Sequence, residues 1–297
     1  MEIPLKNIVI TGGTGFVGHH FIEHLLKNTD WYIHILDKNS YSGDAAKVTE
    51  LDIFDPDRIH LHWHDLRAPV MNSLINQIGK VDYLVHLAAE SHVDNSILSP
   101  VDFIHNNVMG AVNILEYARA VKPDKVLSIN TDEVFGPSHD LAGFKEWDRH
   151  LPSNPYSASK SAQDSIGISY WRTYDVPLIA THTMNMFGER QHVEKLVPKA
   201  ISFLAEGKPV PVHAKGSDES GWIGSSRFWL HARNHADALL WILNEVSPKM
   251  YNHGENEYPE KFNVAGDIEL TADQIVIRIA DIMKVKPDIE FVDYHSH

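Results

Sequence analysis

Two groups of residues in this 297-residue chain have the types and spacing to do chemistry. Thr131-Asp132-Glu133 places a hydroxyl beside two adjacent carboxylates. Two acids in one cleft do not ionise equally, because the second charge is repelled by the first; one stays an acid beside a base. That pairing suits the elimination of water. Tyr156 and Lys160 stand four residues apart, so a helix would carry both on one face. A tyrosine with its usual pKa of about 10 is a poor base at neutral pH. A neighbouring ammonium favours the phenolate, which could then take a hydroxyl proton while hydride leaves the same carbon. Taken alone, a Tyr/Lys pair at this spacing also occurs on ordinary helix surfaces, and adjacent acids at a strand end are often only solvated.

A third group supplies a partner for that hydride. Thr11-Gly12-Gly13-Thr14-Gly15-Phe16-Val17-Gly18 lies between a β-branched run and a helical pattern. Glycines there let the backbone turn tightly and approach a pyrophosphate resting on the helix N-terminus. Asp37 ends the next strand, 19 residues past Gly18. It would accept from ribose hydroxyls and repel a 2′-phosphate, which favours NAD over NADP, although Lys38 follows it directly and Asp37 could also serve as a turn cap.

These groups need elements to hold them at one sheet edge. Strand-like runs at Asn7–Thr11, Tyr32–Leu36, Ile59–His64, Tyr83–Leu87, Lys125–Asn130 and Leu178–His182 alternate with helical patterns at Phe16–Leu26, Val101–Ala120 and Tyr156–Tyr174. That alternation predicts an α/β fold with a doubly wound parallel sheet. After about residue 185 the pieces shorten and Pro and Gly crowd together. The expected organisation is a binding domain over 1–184, with 226–245 returning to it, and a smaller lobe over 185–297 whose clear helices are Ala232–Asn244 and Ala272–Met283.

Composition narrows the rest. A net charge of −14 makes the chain a poor partner for nucleic acid or an anionic membrane surface. No apolar run approaches the roughly 20 residues of a membrane span, and the start, MEIPLKNIVITGG, has no secretory pattern. The absence of cysteine excludes disulfides and thiolate catalysis and fits a cytoplasmic location. Among 20 histidines, His60, His62 and His64 alternate along one strand. Without converging ligands or a supporting shell they read as packed or exposed imidazoles, so no metal is expected.

Several blocks resemble a known family. The glycine loop with Tyr156 and Lys160 is similar to the extended short-chain dehydrogenases/reductases, the NAD-dependent epimerase/dehydratase family. INTDEVFG (129–136) resembles the STDEVYG signature of its dTDP-glucose 4,6-dehydratases; LAAESHVDNSI (87–97) resembles AAESHVDRSI, and NPYSASK (154–160) matches closely. NMFGERQHVEKLVP (185–198), SRFWL (226–230) and FNVAG (262–266) resemble further family blocks, in family order over nearly the whole chain.

The resemblance implies a Rossmann-type fold, bound NAD, a nucleotide-sugar substrate and a homodimer built on the two long helices. It implies that Tyr156, helped by Lys160 and Thr131, takes the C4 hydroxyl proton while hydride passes to NAD. Glu133 then removes the C5 proton, Asp132 protonates the departing C6 hydroxyl, and hydride returns to C6. Gly12, Gly15, Phe16, Val17, Gly18, Asp37, Lys38, Asp65, Leu66, Leu87, Ala88, Ala89, Tyr156 and Lys160 would line the cofactor cleft, with Asp65 on the adenine amino group. Ser91, Asn185, Lys195, Leu196, Arg227 and Asn263 would meet the substrate.

The chain departs from the pattern at Asn95, Met186 and Phe228, in an apparent insertion over 217–225, and at its end, VDYHSH, where the family continues. Rival readings are a 4-epimerase or decarboxylase on the same scaffold, or an NAD-binding protein without activity. Asp132 weighs against an epimerase, which has no water to expel, and the intact Tyr/Lys pair against an inactive binder.

Overall fold

The computed structural model describes residues 5–138, 143–217 and 221–293. The chain forms two compact units: residues 1–183 with 232–264, and residues 184–231 with 265–297.

The first unit is built on six strands in chain order, β1 (Asn7–Thr11), β2 (Tyr32–Asp37), β3 (Ile59–Trp63), β4 (Tyr83–His86), β5 (Lys125–Thr131) and β6 (Leu178–Thr183). They lie in the order β3-β2-β1-β4-β5-β6, and a seventh strand, Glu260–Val264, pairs with β6 at the far edge. Every pairing is parallel. A parallel sheet covered on both faces needs apolar side chains on both, and Ile8, Val9 and Ile10 are fully buried. One face packs Ile8, Ile10, Ile33 and Ile35 against Phe21, Ile22 and Leu25 of the Phe16–Asn28 helix and Leu239, Ile242 and Leu243 of the Ala232–Glu245 helix. The other packs Val9, Leu84 and Val126 against Ile114, Leu115 and Trp171. The strand order reverses between β1 and β4, so the crevice for a ligand opens there, beyond the strands' C-terminal ends.

Two elements differ from the sequence reading. The expected Val101–Ala120 helix is Pro100–Phe103, a π-helical turn at Ile104–Met109, then Gly110–Val121. The segment that rejoins the first unit is Ala232–Val264 rather than 226–245. Ser226–His231 instead pairs with Asn185–Phe187 and Glu269–Thr271 in the second unit, whereas the amphipathic Ala232–Glu245 helix buries its apolar face in the first.

The second unit holds that three-stranded sheet and another of Ile289–Asp293, Val210–Ser217 and Gly221–Gly224. Its core joins Ala200 and Leu204 to Val210, Val212, Val276 and Ala280. In the apparent insertion, Gly221–Gly224 runs antiparallel to Val210–Ser217, while residues 218–220 lie outside the described residues, as do 294–297 at the end of VDYHSH. Among the described residues no helix is long and apolar enough to cross a membrane.

Candidate active site

The glycine loop is shaped as a cradle. Gly12 has φ +72°, and a Cβ there would sit 2.7 Å from the Ala88 Cα. A Cβ on Gly18 would lie 2.3 Å from the Gly12 carbonyl. The loop therefore closes on itself and on the end of β4 only because both side chains are absent. The Phe16–Asn28 helix opens at Gly15 with no side-chain cap, leaving first-turn amides for an anion. The buried Thr14 hydroxyl has no partner among the described residues. Asp37 accepts from the Thr14 amide at 3.0 Å and from the Asn39 amide at 2.8 Å, so it braces the loop as well as its own turn. The cradle fits a dinucleotide.

Beyond β2 and β3 a cavity of about 680 Å³ is lined by Lys38, Tyr41, Asp65, Arg67, Glu90 and Asn106, among others. Asp65 is not free: Arg67 donates to its Oδ2 through Nε at 2.8 Å and Nη2 at 2.5 Å. That guanidinium holds the carboxyl below the usual range. Lys38 pairs with Glu90 at 3.4 Å. Leu66 is buried, Leu87 and Ala88 are half-buried, and Ala89 is exposed.

At the end of β5, Thr131 caps a 3-10 turn over Asp132–Phe135 by accepting from the Glu133 amide. Its hydroxyl lies 3.3 Å from the Asp132 carboxylate. The Pro155–Tyr174 helix starts where it does because Asn154 and Ser157 cap each other's backbone amides, at 2.8 and 3.2 Å, and proline takes the first helical position. That start sets Tyr156 in the first turn. The Asn154 side chain also donates to Glu133 Oε2 at 3.4 Å, tying the cap to the acid turn.

Tyr156 is thus gathered with Thr131, Asp132 and Glu133. Burial pushes its phenol above the ordinary value, Glu133 and Asp132 push the same way, and the Thr131 hydrogen bond opposes them. The expected lowering by Lys160 is not what the structure has. The Lys160 ammonium donates inward, to the Ile129 carbonyl at 2.8 Å and Gln163 Oε1 at 2.7 Å. A shared helix face brings the two stems together, but the long lysine side chain runs on to β5. Burial lowers Lys160 to about 7, and Asp164 is the acid that holds it up.

The remaining sequence-derived residues divide between the units. Ser91 is exposed in the first unit. Asn263 also belongs to the first unit, on the edge strand, where its side chain donates to the Phe144 carbonyl at 2.9 Å. Asn185, Lys195, Leu196 and Arg227 belong to the second. There Lys195 stands at the N-terminal cap position of the Leu196–Ala205 helix without a side-chain capping bond, and Arg227 donates to the Ser226 carbonyl at 2.9 Å.

Sequence reasoning missed Asn107, Gln163 and Asp164. Asn107 lies in the π-helical turn, and its amide group bonds both backbone groups of Glu90 and the Ser159 hydroxyl. The paired asparagines in IHNNVM, polar inside an apolar helical run, were the available signal. The histidines of β3 are packed: His34 stacks on His60 and His62 with centroids 4.9 and 5.4 Å apart. Among the described residues, ligand atoms of His150, Asp164 and His182 lie within 4.8 Å of one another, but the Lys261 ammonium stands 2.7 Å from Asp164, where a cation would go.

A parallel sheet with a glycine cradle at its switch point, and a Tyr/Lys helix beside an acidic turn, defines an extended short-chain dehydrogenase/reductase. The chain belongs to the family described as GDP-mannose 4,6 dehydratase, whose sequence model matches residues 9–295. It is 34% identical to the dTDP-glucose 4,6-dehydratase of Salmonella typhimurium, over 93% of this chain and 76% of that one. It is 34% identical to the low-salt glycan biosynthesis protein Agl12 of Haloferax volcanii, over 97% and 86%. The crystal structure of dTDP-glucose 4,6-dehydratase from Bacillus anthracis, in complex with NAD, superposes with a TM-score of 0.83 at 28% identity, covering 97% of this chain and 85% of that one.

Proposed function

We propose that this protein is an NAD-dependent nucleotide-sugar 4,6-dehydratase that converts dTDP-glucose to the 4-keto-6-deoxy sugar. The observation that carries this reading is the joining of Thr131, Asp132 and Glu133, at a half-buried turn, to Tyr156 in the first turn of the neighbouring helix. A site that only inverted C4 would need the tyrosine without the pair of acids, Asp132 and Glu133.

NAD, when bound, accepts hydride from C4 and returns it to C6. The cradle of Gly12, Gly15, Phe16, Val17 and Gly18 receives its pyrophosphate, and Asp37 has lone pairs left for the ribose hydroxyls. Asp65 and Leu66 meet the adenine, Lys38 flanks them, and Leu87, Ala88 and Ala89 wall the cleft. Tyr156 takes the C4 hydroxyl proton, with the Thr131 hydrogen bond favouring its phenolate and Lys160 fixing the start of the helix against β5. The new ketone acidifies C5, where Glu133 removes the proton. Asp132 donates a proton to the C6 hydroxyl, which leaves as water, and Glu133 returns a proton to C5 as hydride adds to C6. Ser91 and Asn185 orient the hexose. Arg227 offers a planar fork to the diphosphate, and Lys195, Leu196 and Asn263 meet the nucleotide. We also propose a homodimer through the two long helical stretches, supported by Val101 and Ile104, which are 62% and 43% exposed. A cysteine-free, NAD-using enzyme of this kind suits the cytoplasm.

The test is incubation with a panel of nucleoside-diphosphate glucoses and mass spectrometry of the products. A product lighter by one water, formed fastest from dTDP-glucose, is expected. A product of unchanged mass, the 4-epimer, overturns the reading.

A further inference from the structure

Lys160 is buried, and among the described residues its hydrogen-bond partners are neutral oxygens, the Ile129 carbonyl and Gln163 Oε1. An ammonium so placed needs a counter-charge nearby or it loses its proton. Asp164 lies one helical turn further on, on the same face. Its side chain is 2% exposed and is fixed from two sides. Asn130 of β5 donates to Oδ1 at 3.1 Å, and Lys261 of the edge strand donates to Oδ2 at 2.7 Å. Lys261 also lies 3.9 Å from the Trp147 ring centroid. His150 and His182 stand 3.7 and 3.9 Å from the same Oδ2, and both are held below their usual range, first of all by burial. His86 of β4 is lowered to about 3, first by burial and then by the Lys160 charge. One carboxylate thus serves two buried ammoniums, and among the described residues Asp164 is the acid that acts on Lys160.

We propose that Asp164 is a positioning residue for Lys160: held by Asn130 and Lys261, its carboxylate keeps the Lys160 side chain an ammonium against the Ile129 carbonyl of β5. This inference rests on the dehydratase reading only for its consequence in catalysis; the charge on Lys160 can be measured without turnover.

The test replaces the ion pair with neutral side chains, Asp164→Asn with Lys261→Met, so that neither partner is left as a buried orphan. Protein carrying isotope-labelled lysine is titrated by NMR, with the Lys160 resonance assigned by its loss in Lys160→Met. The Lys160 midpoint is expected to fall by about one pH unit, and the alkaline limb of kcat to fall with it. An unmoved midpoint overturns the proposal, including the case where kcat drops evenly across pH, which marks a merely structural pair. If that double variant does not fold, Asp164→Asn with Lys261→Gln decides by the same readout: a lowered midpoint supports the proposal and an unmoved one overturns it. Failure to eliminate water from any nucleotide sugar would sink the dehydratase reading and leave the NMR result standing.

Discussion

Both ends of the sheet's C-terminal edge carry charge, and they handle it in opposite ways. At the β3 end, two guanidinium donors of Arg67 share one oxygen of Asp65, with the side chains 51% and 34% exposed. At the β5 end, Lys160, Asp164 and Lys261 are all buried; burial pushes Tyr156 up and the histidines around them down, so that these groups stay neutral. Water screens the first group, so its members are exchangeable with solvent or ligand at little cost. The second group has no water to fall back on, so each charge depends on a named partner. A cofactor's adenosine can be bound by the first kind of chemistry. Moving a proton at a chosen atom needs the second.

The largest expected effect lies at the sealed end. Tyr156→Phe keeps the ring and removes the proton acceptor, so kcat should fall by about 10²–10⁴-fold with NAD affinity retained; steady-state rates and cofactor titration check both. A fall in both quantities would mean that the ring, not the hydroxyl, is what the site needs.

Acid should find the sealed interior next. His86 and His182 are depressed to about 3 and His235 to about 4, each chiefly by burial. The unfolded chain, with histidines near 6.5, binds more protons throughout the window between those values. Stability is therefore complete above about 6.5 and lost as pH falls toward 3–4, by on the order of 1 kcal/mol per pH unit for each histidine. Urea midpoints measured from pH 7 to 4 should fall steadily; a flat profile would show that these imidazoles are protonated in the folded protein.

The smallest effect belongs to the open end. Arg67→Ala should change stability by less than about 0.5 kcal/mol and NAD affinity by only a few-fold, because Asp65 returns to solvent rather than to an apolar interior. A loss comparable to that of Tyr156→Phe would erase the distinction between the two ends.

The same contrast governs what could be read from the chain. The glycine loop, Asp37 and the Tyr156/Lys160 spacing are local signals, written within one turn or one strand–helix junction, and the elements that hold them lie where periodicity puts them. The π-helical turn at Ile104–Met109 escaped because one extra residue per turn hardly disturbs an apolar repeat. Lys261 meets Asp164 across 97 residues, and no spacing rule joins them. The return of Ala232–Val264 to the first unit was likewise set by which sheet face its apolar stripe covers. The expected effect of Lys160 on Tyr156 failed for a related reason: a helix fixes where a side chain starts, and the neighbouring strand fixes where it ends.

The central claim is that Glu133 removes the C5 proton on the turn that Thr131 caps. Turnover of dTDP-glucose in deuterium oxide, followed by NMR of the product, tests it directly. Wild-type protein should place deuterium at C5, and Glu133→Gln should give neither product nor exchange at C5 while still binding NAD. Undiminished product carrying deuterium at C5 from Glu133→Gln would contradict the account.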